Sequence, residues 1–166
     1  MKSLVFKPLK ESDIDMLYHW LCLPHVAQRW GGVPEYPKVL NKYLRYIGSD
    51  YVFPFIIYDK DKAIGYIHYY FANRVGKGWW PNAKPGTVGI DIFIGETGYI
   101  GKGYGKKILE KFLKVISQDQ KIKKVIVDVA PDNARAKACY EKVGFSFVEE
   151  TDTPEGRTLV FEINIK

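Results

Sequence analysis

The segment YIGKGYGKK, residues 99–107, places three glycines at alternate positions in front of a pair of lysines. Glycine is favoured where a backbone turns sharply or approaches a ligand closely. The strand-like run TVGIDIFIG, residues 87–95, precedes this segment, and apolar residues at helical spacing follow it. Free backbone N–H groups and the positive end of the dipole make a helix start an anion site. The segment therefore predicts an anion site at a strand–turn–helix junction.

The net charge of +6 is concentrated in and just after this segment. Residues 102–124 contain eight lysines against Glu110 and Asp119, so the rest of the chain is neutral overall. A local excess of charge indicates a localised anion. A lysine run taken alone is also typical of a solvated helix face.

The chain of 166 residues, 46% hydrophobic and 27% charged, has the composition of one globular domain, which we expect to cover residues 1–166. No apolar run approaches the roughly 20 residues of a membrane span, and the first residues show no signal-peptide pattern. Two cysteines, Cys22 and Cys139, form no disulfide framework. These features predict a cytoplasmic protein that binds no membrane.

Apolar periodicity predicts the order β-α-α-β-β-β-α-β-α-β-β, an α/β fold with a mixed sheet. Pro24 is expected to end the first helix. The run KKVIVDVA, residues 123–130, is nearly continuous in apolar residues, which is typical of a buried parallel strand. The next helix is expected to begin at Asp132 or Asn133 and to end at Gly144.

Other site classes fit the sequence poorly. Lys106 stands where a dinucleotide fingerprint needs a third glycine, and no Walker A spacing or G-x-S-x-G motif is present. His19, His25 and His68 lack the spacing of metal ligands and are more typical of structural histidines. We therefore expect neither a metal cofactor nor a covalent nucleophile.

Two motifs resemble those of a known family. IGKGYG, residues 100–105, resembles the coenzyme A pyrophosphate loop of the Gcn5-related N-acetyltransferases (GNAT), [Q/R]-x-x-G-x-[G/A], although Ile100 replaces the Gln or Arg. DNARAKACYEKVGF, residues 132–145, resembles the second signature, N-x-x-A-x-x-x-Y-x-K-x-G-F. The resemblance spans nearly the whole chain. It implies a GNAT fold, a central mixed sheet flanked by about four helices, and acetyl-CoA as co-substrate.

The resemblance also implies roles for individual residues. Tyr140 would donate a proton to the departing thiolate, and Asn133 would hold the pantetheine arm. Backbone N–H groups of residues 92–94 would polarise the thioester carbonyl. The residues expected to bind acetyl-CoA are Ile92, Phe93, Ile94, Gly101, Lys102, Gly103, Tyr104, Gly105, Lys106 and Asn133.

A narrower likeness concerns the acceptor. RWGG (29–32), IGYIHYY (64–70), the stretch 78–107 and TDTPEGRTLVFE (151–162) are similar to segments of the aminoglycoside 6′-N-acetyltransferases. By this likeness Asp91 would take the amine proton. The residues expected to contact the acceptor are Trp30, Trp80, Asp91, Asp128 and Glu155. His68, Lys77 and Ile92 depart from the subfamily pattern, which has Gln, an acidic residue and Gln at these positions.

The sequence leaves several functions open. The expected partner is a small-molecule amine, with no nucleic acid, and the protein is expected to be a monomer or homodimer. Within the same fold the acceptor is alternatively a siderophore hydroxylysine, a polyamine or a protein N-terminus, or the protein only senses acyl-CoA. A nucleic-acid-binding module would use the same lysines together with the 12 Tyr, 9 Phe and 4 Trp residues.

Overall fold

The structure, a computed structural model, describes residues 3–166. Seven strands form one mixed sheet in the order β1-β2-β3-β4-β5-β7-β6. The strands are β1 (Leu4–Pro8), β2 (Val52–Asp59), β3 (Lys62–Phe71), β4 (Thr87–Ile94), β5 (Lys124–Val129), β6 (Ser146–Thr153) and β7 (Gly156–Asn164). The helices are α1 (Ile14–Cys22), α2 (Pro24–Ala27), α3 (Tyr36–Ile47), α4 (Tyr104–Ile116) and α5 (Ala134–Val143). The predicted α/β class and mixed sheet are confirmed.

The predicted element order lacks one helix, α2. Pro24 was expected only to end the first helix, but α1 already ends at Cys22 and Leu23 is extended, with φ −70° and ψ 138°. Pro24 then occupies the first position of α2. A proline is tolerated there because the N–H it lacks would have no partner inside the helix.

The chain divides into two compact units. The first extends to Tyr69 and includes Asp91–Lys102, and the second comprises Tyr70–Ile90 and Gly103–Lys166. The single domain predicted for residues 1–166 stays a prediction.

The first unit packs helices α1 to α3 on the strands through a cluster of large apolar side chains. In β1 and β2, Leu4 lies opposite Asp59 in an antiparallel pair. A two-residue turn, Lys60 and Asp61, connects β2 to β3. The core residues of this cluster are Leu9, Ile14, Leu17, Trp20, Leu21, Val26, Val39, Tyr43, Ile56, Tyr66 and Phe93.

The second unit contains the predicted parallel strand. β5 pairs parallel to β4, with Thr87 opposite Lys124, and antiparallel to β7 on its other side. The β6–β7 hairpin extends to a two-residue turn, because Thr153 pairs with Gly156.

The cap of α5 also lies in the second unit. The Asn133 side chain accepts a hydrogen bond from the Ala136 N–H, 3.2 Å away, so Asn133 is the N-cap. The helix ends at Gly144, with φ 112°. Glycine readily adopts the left-handed conformation that closes a helix, so α5 ends where the sequence predicts.

Candidate active site

The glycine segment adopts a conformation that side-chain-bearing residues rarely take. Gly101 has φ 74°, and Gly103, the N-cap of α4, has φ 77°. Both values lie in the left-handed region, where a Cβ would cost about 1–2 kcal/mol. Gly105 serves a different purpose, since a Cβ there would lie 3.3 Å from Cys139 Sγ on α5. The glycines therefore shape the start of α4.

The chemistry of this helix start suits a diphosphate. The first turn of α4, all of whose residues are described, contains no acidic residue. Lys102, Lys106 and Lys107 are exposed around it. Lys106 Nζ lies 3.5 Å from Glu110 Oε1, and Lys107 Nζ lies 5.0 Å from the centre of the Tyr104 ring. Backbone N–H groups at the positive end of a helix, with exposed lysines in the same segment, could hold a diphosphate such as that of coenzyme A.

In the first unit, the Asp91 carboxylate contacts the buried imidazole of His68. His68 Nε2 lies 3.0 Å from Asp91 Oδ2. Only 5% of the His68 side chain is exposed, against 39% of the Asp91 side chain. His68 Nδ1 lies 2.9 Å from the Tyr66 hydroxyl. These three residues form a continuous hydrogen-bonded chain that ends at a half-exposed carboxylate.

The sequence contains one signal for this series of hydrogen bonds. Tyr66 and His68 stand two apart on a strand, so their side chains share a face. The partner of His68 depends on the alignment of β3 with β4, which alternation alone does not fix. The shared face of Tyr66 and His68 on β3 can therefore be read from the sequence, whereas the contact of His68 with Asp91 cannot.

Aromatic rings surround this hydrogen-bonded chain. Trp30 is half-buried, and its ring centre lies 4.8 Å from that of Phe93 and 6.2 Å from that of Tyr66, both edge-on. The Tyr46 ring lies 5.4 Å from His68. Burial raises the pKa of Tyr43 and that of Tyr66 well above their usual value. Both phenols therefore remain neutral at physiological pH.

The end of β4 holds residues 92–94, whose backbone was predicted to polarise the thioester. The Ile94 carbonyl lies 2.9 Å from His25 Nε2 and accepts its hydrogen bond. The N–H groups of Gly95 and Glu96 both donate to the Ile64 carbonyl, at 2.9 and 3.1 Å. Gly95 and Glu96, which directly follow β4, thus share one partner on β3, and the regular pairing of β4 ends there.

The remaining predicted acceptor residues lie in the second unit. Asp128 is half-buried, and the Thr158 hydroxyl, 3.2 Å from Asp128 Oδ2, donates to it. The same hydroxyl lies 3.1 Å from the Val129 carbonyl, so its single proton serves one of these two acceptors at a time. Glu155 is exposed in the β6–β7 turn. Trp80 donates its Nε1–H to the Tyr70 hydroxyl at 2.9 Å.

Tyr140, the predicted acid, lies on α5 and is 8% exposed. Its ring centre lies 5.8 Å from that of Phe145 and 6.5 Å from that of Phe161. The ring therefore packs in the core of the second unit. Asn133 uses its side-chain oxygen as the helix cap.

The described residues show neither a metal-binding cluster nor a helix that could span a membrane. Between residues 3 and 166, no group of three or more His, Cys, Asp or Glu side chains has the geometry to hold a metal ion. Within the same described part of the chain, no helix combines the length and apolar character needed to span a bilayer.

Comparison with known proteins identifies the class. Residues 10–153 match the family described as an acetyltransferase (GNAT) domain. The chain belongs to this family and is an acyl-CoA N-acyltransferase, as the two motifs predict.

The chain is also similar to particular proteins of known activity. The chain is 33% identical over 159 residues to the aminoglycoside N(6′)-acetyltransferase type 1 of Klebsiella pneumoniae, covering 93% of this chain and 79% of that protein. The crystal structure of aminoglycoside acetyltransferase AAC(6′)-Ib with coenzyme A and kanamycin superposes with a TM-score of 0.92 at 31% identity, covering 98% and 95% of the two chains. A lysine N-acyltransferase, MbtK of Mycolicibacterium paratuberculosis, is 24% identical and covers 92% of this chain and 69% of that protein.

Proposed function

We propose that this protein transfers the acetyl group of acetyl-CoA to the 6′-amine of an aminoglycoside. The observation that carries the proposal is the half-exposed carboxylate of Asp91. Asp91 lies on β4, the strand before the glycine segment, and its carboxylate is held by His68 on β3. The likeness to enzymes named for this reaction, at 31–33% identity over more than nine tenths of the chain, supports the aminoglycoside acceptor.

The donor would be bound through its phosphates. The diphosphate of acetyl-CoA would accept hydrogen bonds from the backbone between Gly101 and Lys106, with Lys102 and Lys106 adding positive charge. Tyr104 and Gly105 supply further N–H groups of the first turn. Asn133 would hold the pantetheine arm.

The chemistry begins with deprotonation of the acceptor. The protonated amine has no lone pair, so it first gives a proton to Asp91, directly or through one water molecule. The nitrogen then attacks the thioester carbon, and the carbonyl oxygen gains negative charge. Backbone N–H groups of Ile92, Phe93 and Ile94 are proposed to stabilise that charge.

Collapse of the intermediate breaks the C–S bond. Tyr140 donates its proton to the leaving thiolate, which leaves as free coenzyme A. The second proton of the amine, released as the amide forms, restores Tyr140 through solvent. The products are the acetylated amine, coenzyme A and one net proton, so the step is balanced.

The proposed acceptor contacts suit a polycation. Asp128 and Glu155 would pair with amines of the acceptor, and Trp30 and Trp80 would offer aromatic faces to its rings and ammonium groups. Lys77, in an exposed loop, would repel a polycation. We therefore expect aminoglycosides to differ in rate according to the charge that each places near Lys77.

The test is a thiol-release assay with acetyl-CoA and a panel of acceptors. We expect release with kanamycin and none with an aminoglycoside that has a hydroxyl in place of the 6′-amine. Spermidine and N-hydroxylysine are the competing acceptors. Release with either of these, and none with kanamycin, would overturn the aminoglycoside assignment and leave the acetyltransferase class intact.

A further inference from the structure

We propose that His68 is the positioning residue of Asp91 and that Tyr66 selects the tautomer in which His68 performs this task. The inference rests on the proposed role of Asp91 as proton acceptor. It adds two residues to that site, one of which, His68, departs from the pattern of the aminoglycoside subfamily.

His68 and Asp91 differ strongly in exposure. The imidazole of His68 is 5% exposed, while the Asp91 carboxylate that it contacts is 39% exposed. A buried ring holds its orientation, whereas a half-exposed carboxylate rotates freely about its last torsion, whose preferences are broad. The 3.0 Å contact therefore restrains the carboxylate through the ring.

The Tyr66 hydroxyl and the Asp91 carboxylate together determine which nitrogen of the His68 ring carries the proton. Tyr66 is fully buried and remains a neutral hydroxyl, and its oxygen lies 2.9 Å from His68 Nδ1. When Tyr66 donates to Nδ1, the ring hydrogen is on Nε2 and points at Asp91 Oδ2. The opposite tautomer would place the lone pair of Nε2 against a carboxylate oxygen, which is repulsive. Tyr66 and Asp91 thus select the same tautomer.

The contact with His68 involves one of the two carboxylate oxygens of Asp91. His68 engages Oδ2, so Oδ1 is the oxygen that would meet the ammonium of the acceptor. The hydrogen bond at Oδ2 leaves Oδ1 to accept the proton of the acceptor. Positioning of this kind lowers the cost of reaching a reactive geometry.

Other groups around the ring leave this arrangement unchanged. Tyr46 of α3 lies 5.4 Å from His68, and Tyr43 of α3 lies 5.5 Å from Tyr66. Lys42 Nζ lies 5.5 and 5.6 Å from the centres of the Tyr43 and Tyr46 rings. The described contacts therefore surround His68 with phenols, one carboxylate and a lysine beyond the aromatic layer.

The kinetic test compares two substitutions of similar size. His68→Gln keeps an N–H donor, as in the subfamily pattern, and His68→Leu removes it. With the acceptor that the wild type acetylates fastest, we expect kcat of the Gln variant within about threefold of wild type. We expect the Leu variant to lose at least about tenfold in kcat, with KM for acetyl-CoA unchanged. Equal losses in both variants, or no loss in either, would overturn the proposal.

The tautomer is read without any acceptor, from ¹⁵N chemical shifts of the histidine rings. The His68 signals are assigned by their loss in His68→Gln, which separates them from those of His19 and His25. We expect a hydrogen on Nε2 in the wild type and a smaller excess of this tautomer in Tyr66→Phe, where Asp91 alone still favours it. A hydrogen on Nδ1 in the wild type overturns the proposal whatever the acceptor proves to be. Failure of the kanamycin assay, by contrast, affects only the proposed function.

Discussion

His68 Nε2 lies 3.0 Å from Asp91 Oδ2, on neighbouring strands and 23 positions apart in the chain. The other two carboxylates that are expected to contact the acceptor have different surroundings. Asp128 accepts a hydrogen bond from the Thr158 hydroxyl, and Glu155 lies in an exposed hairpin turn. Of these three groups, the Asp91 carboxylate is therefore the one that is both oriented by an imidazole ring and partly open to solvent.

Replacing Asp91 by Asn tests its role as proton acceptor. An amide still accepts the hydrogen bond from His68 but does not take a proton from an ammonium, so we expect turnover to fall by about 10²-fold or more. Acetyl-CoA affinity should stay within about twofold, because the glycine segment is proposed to bind the donor. Steady-state kinetics and calorimetric titration with acetyl-CoA measure both. The control is Asp61→Asn in the exposed β2–β3 turn, and unchanged turnover in Asp91→Asn would remove Asp91 from the mechanism.

Replacing Tyr140 by Phe tests the proposed general acid. The ring keeps its packing against Phe145 and Phe161, so the near-UV spectrum and melting temperature should show a folded protein. Without the hydroxyl, the thiolate leaves unprotonated, and we expect kcat to fall by about 10²-fold. Thiol release at saturating acetyl-CoA is the measurement. A wild-type rate in the folded variant would assign Tyr140 to the core alone.

Replacing Gly103 by Ala tests the anion site. A Cβ at this residue meets no atom within 4 Å, but φ 77° is strained for alanine. We expect a loss of about 1 kcal/mol of stability and a higher KM for acetyl-CoA, because the helix start shifts to relieve the strain. Gly98→Ala is the matched control, since its Cβ also meets nothing and no left-handed φ is involved. If both variants show the wild-type KM, the segment does not bind the donor.

Replacing Gly95 by Ala tests packing at the end of β4. A Cβ there would lie 2.3 Å from the Trp20 indole, which is 2% exposed and fixed in the core. Since the ring has to move, we expect the free energy of unfolding to fall by about 1–3 kcal/mol. Urea denaturation of this variant and of Gly98→Ala gives the comparison. A stability equal to that of the Gly98 variant would show that Trp20 moves without cost.

Glu96 predicts a pH dependence of stability. Its pKa is lowered from the usual 4.5, first by the hydrogen bond from Trp20 Nε1 and then by Lys62. A lowered folded-state pKa stabilises the protein above the unfolded value, and this contribution is lost as the pH falls through the lower folded-state value. The stability difference between wild type and Glu96→Gln should therefore be constant above about pH 5 and shrink below the usual 4.5.

Urea denaturation at several pH values measures this difference. Glu35→Gln is the control, because Glu35 pairs with Lys38 where both side chains are more than two thirds exposed. Exposed pairs contribute little, so this variant should match the wild type. A difference between wild type and Glu96→Gln that grows on acidification would contradict the assignment.

Local features were predictable from the sequence. The Asn133 cap, the end of α5 at Gly144 and the glycine turn before α4 depend on residues within one helical turn of each other. The parallel strand β5 was predictable because its apolar run is nearly continuous. The short helix α2 was missed, since a proline stops one helix and starts another with equal ease.

The sequence by itself determined the class of protein, because both family motifs are short and their function depends on neighbouring backbone atoms. Tertiary structure decided the partners of the carboxylates. His68 meets Asp91 and Thr158 meets Asp128 only through strand alignment, and a shift of one residue would turn each side chain to the other face. The physical reason is range: a cap or a left-handed glycine is fixed by its neighbours, whereas a hydrogen bond across 23 or 30 residues is fixed by the folded sheet.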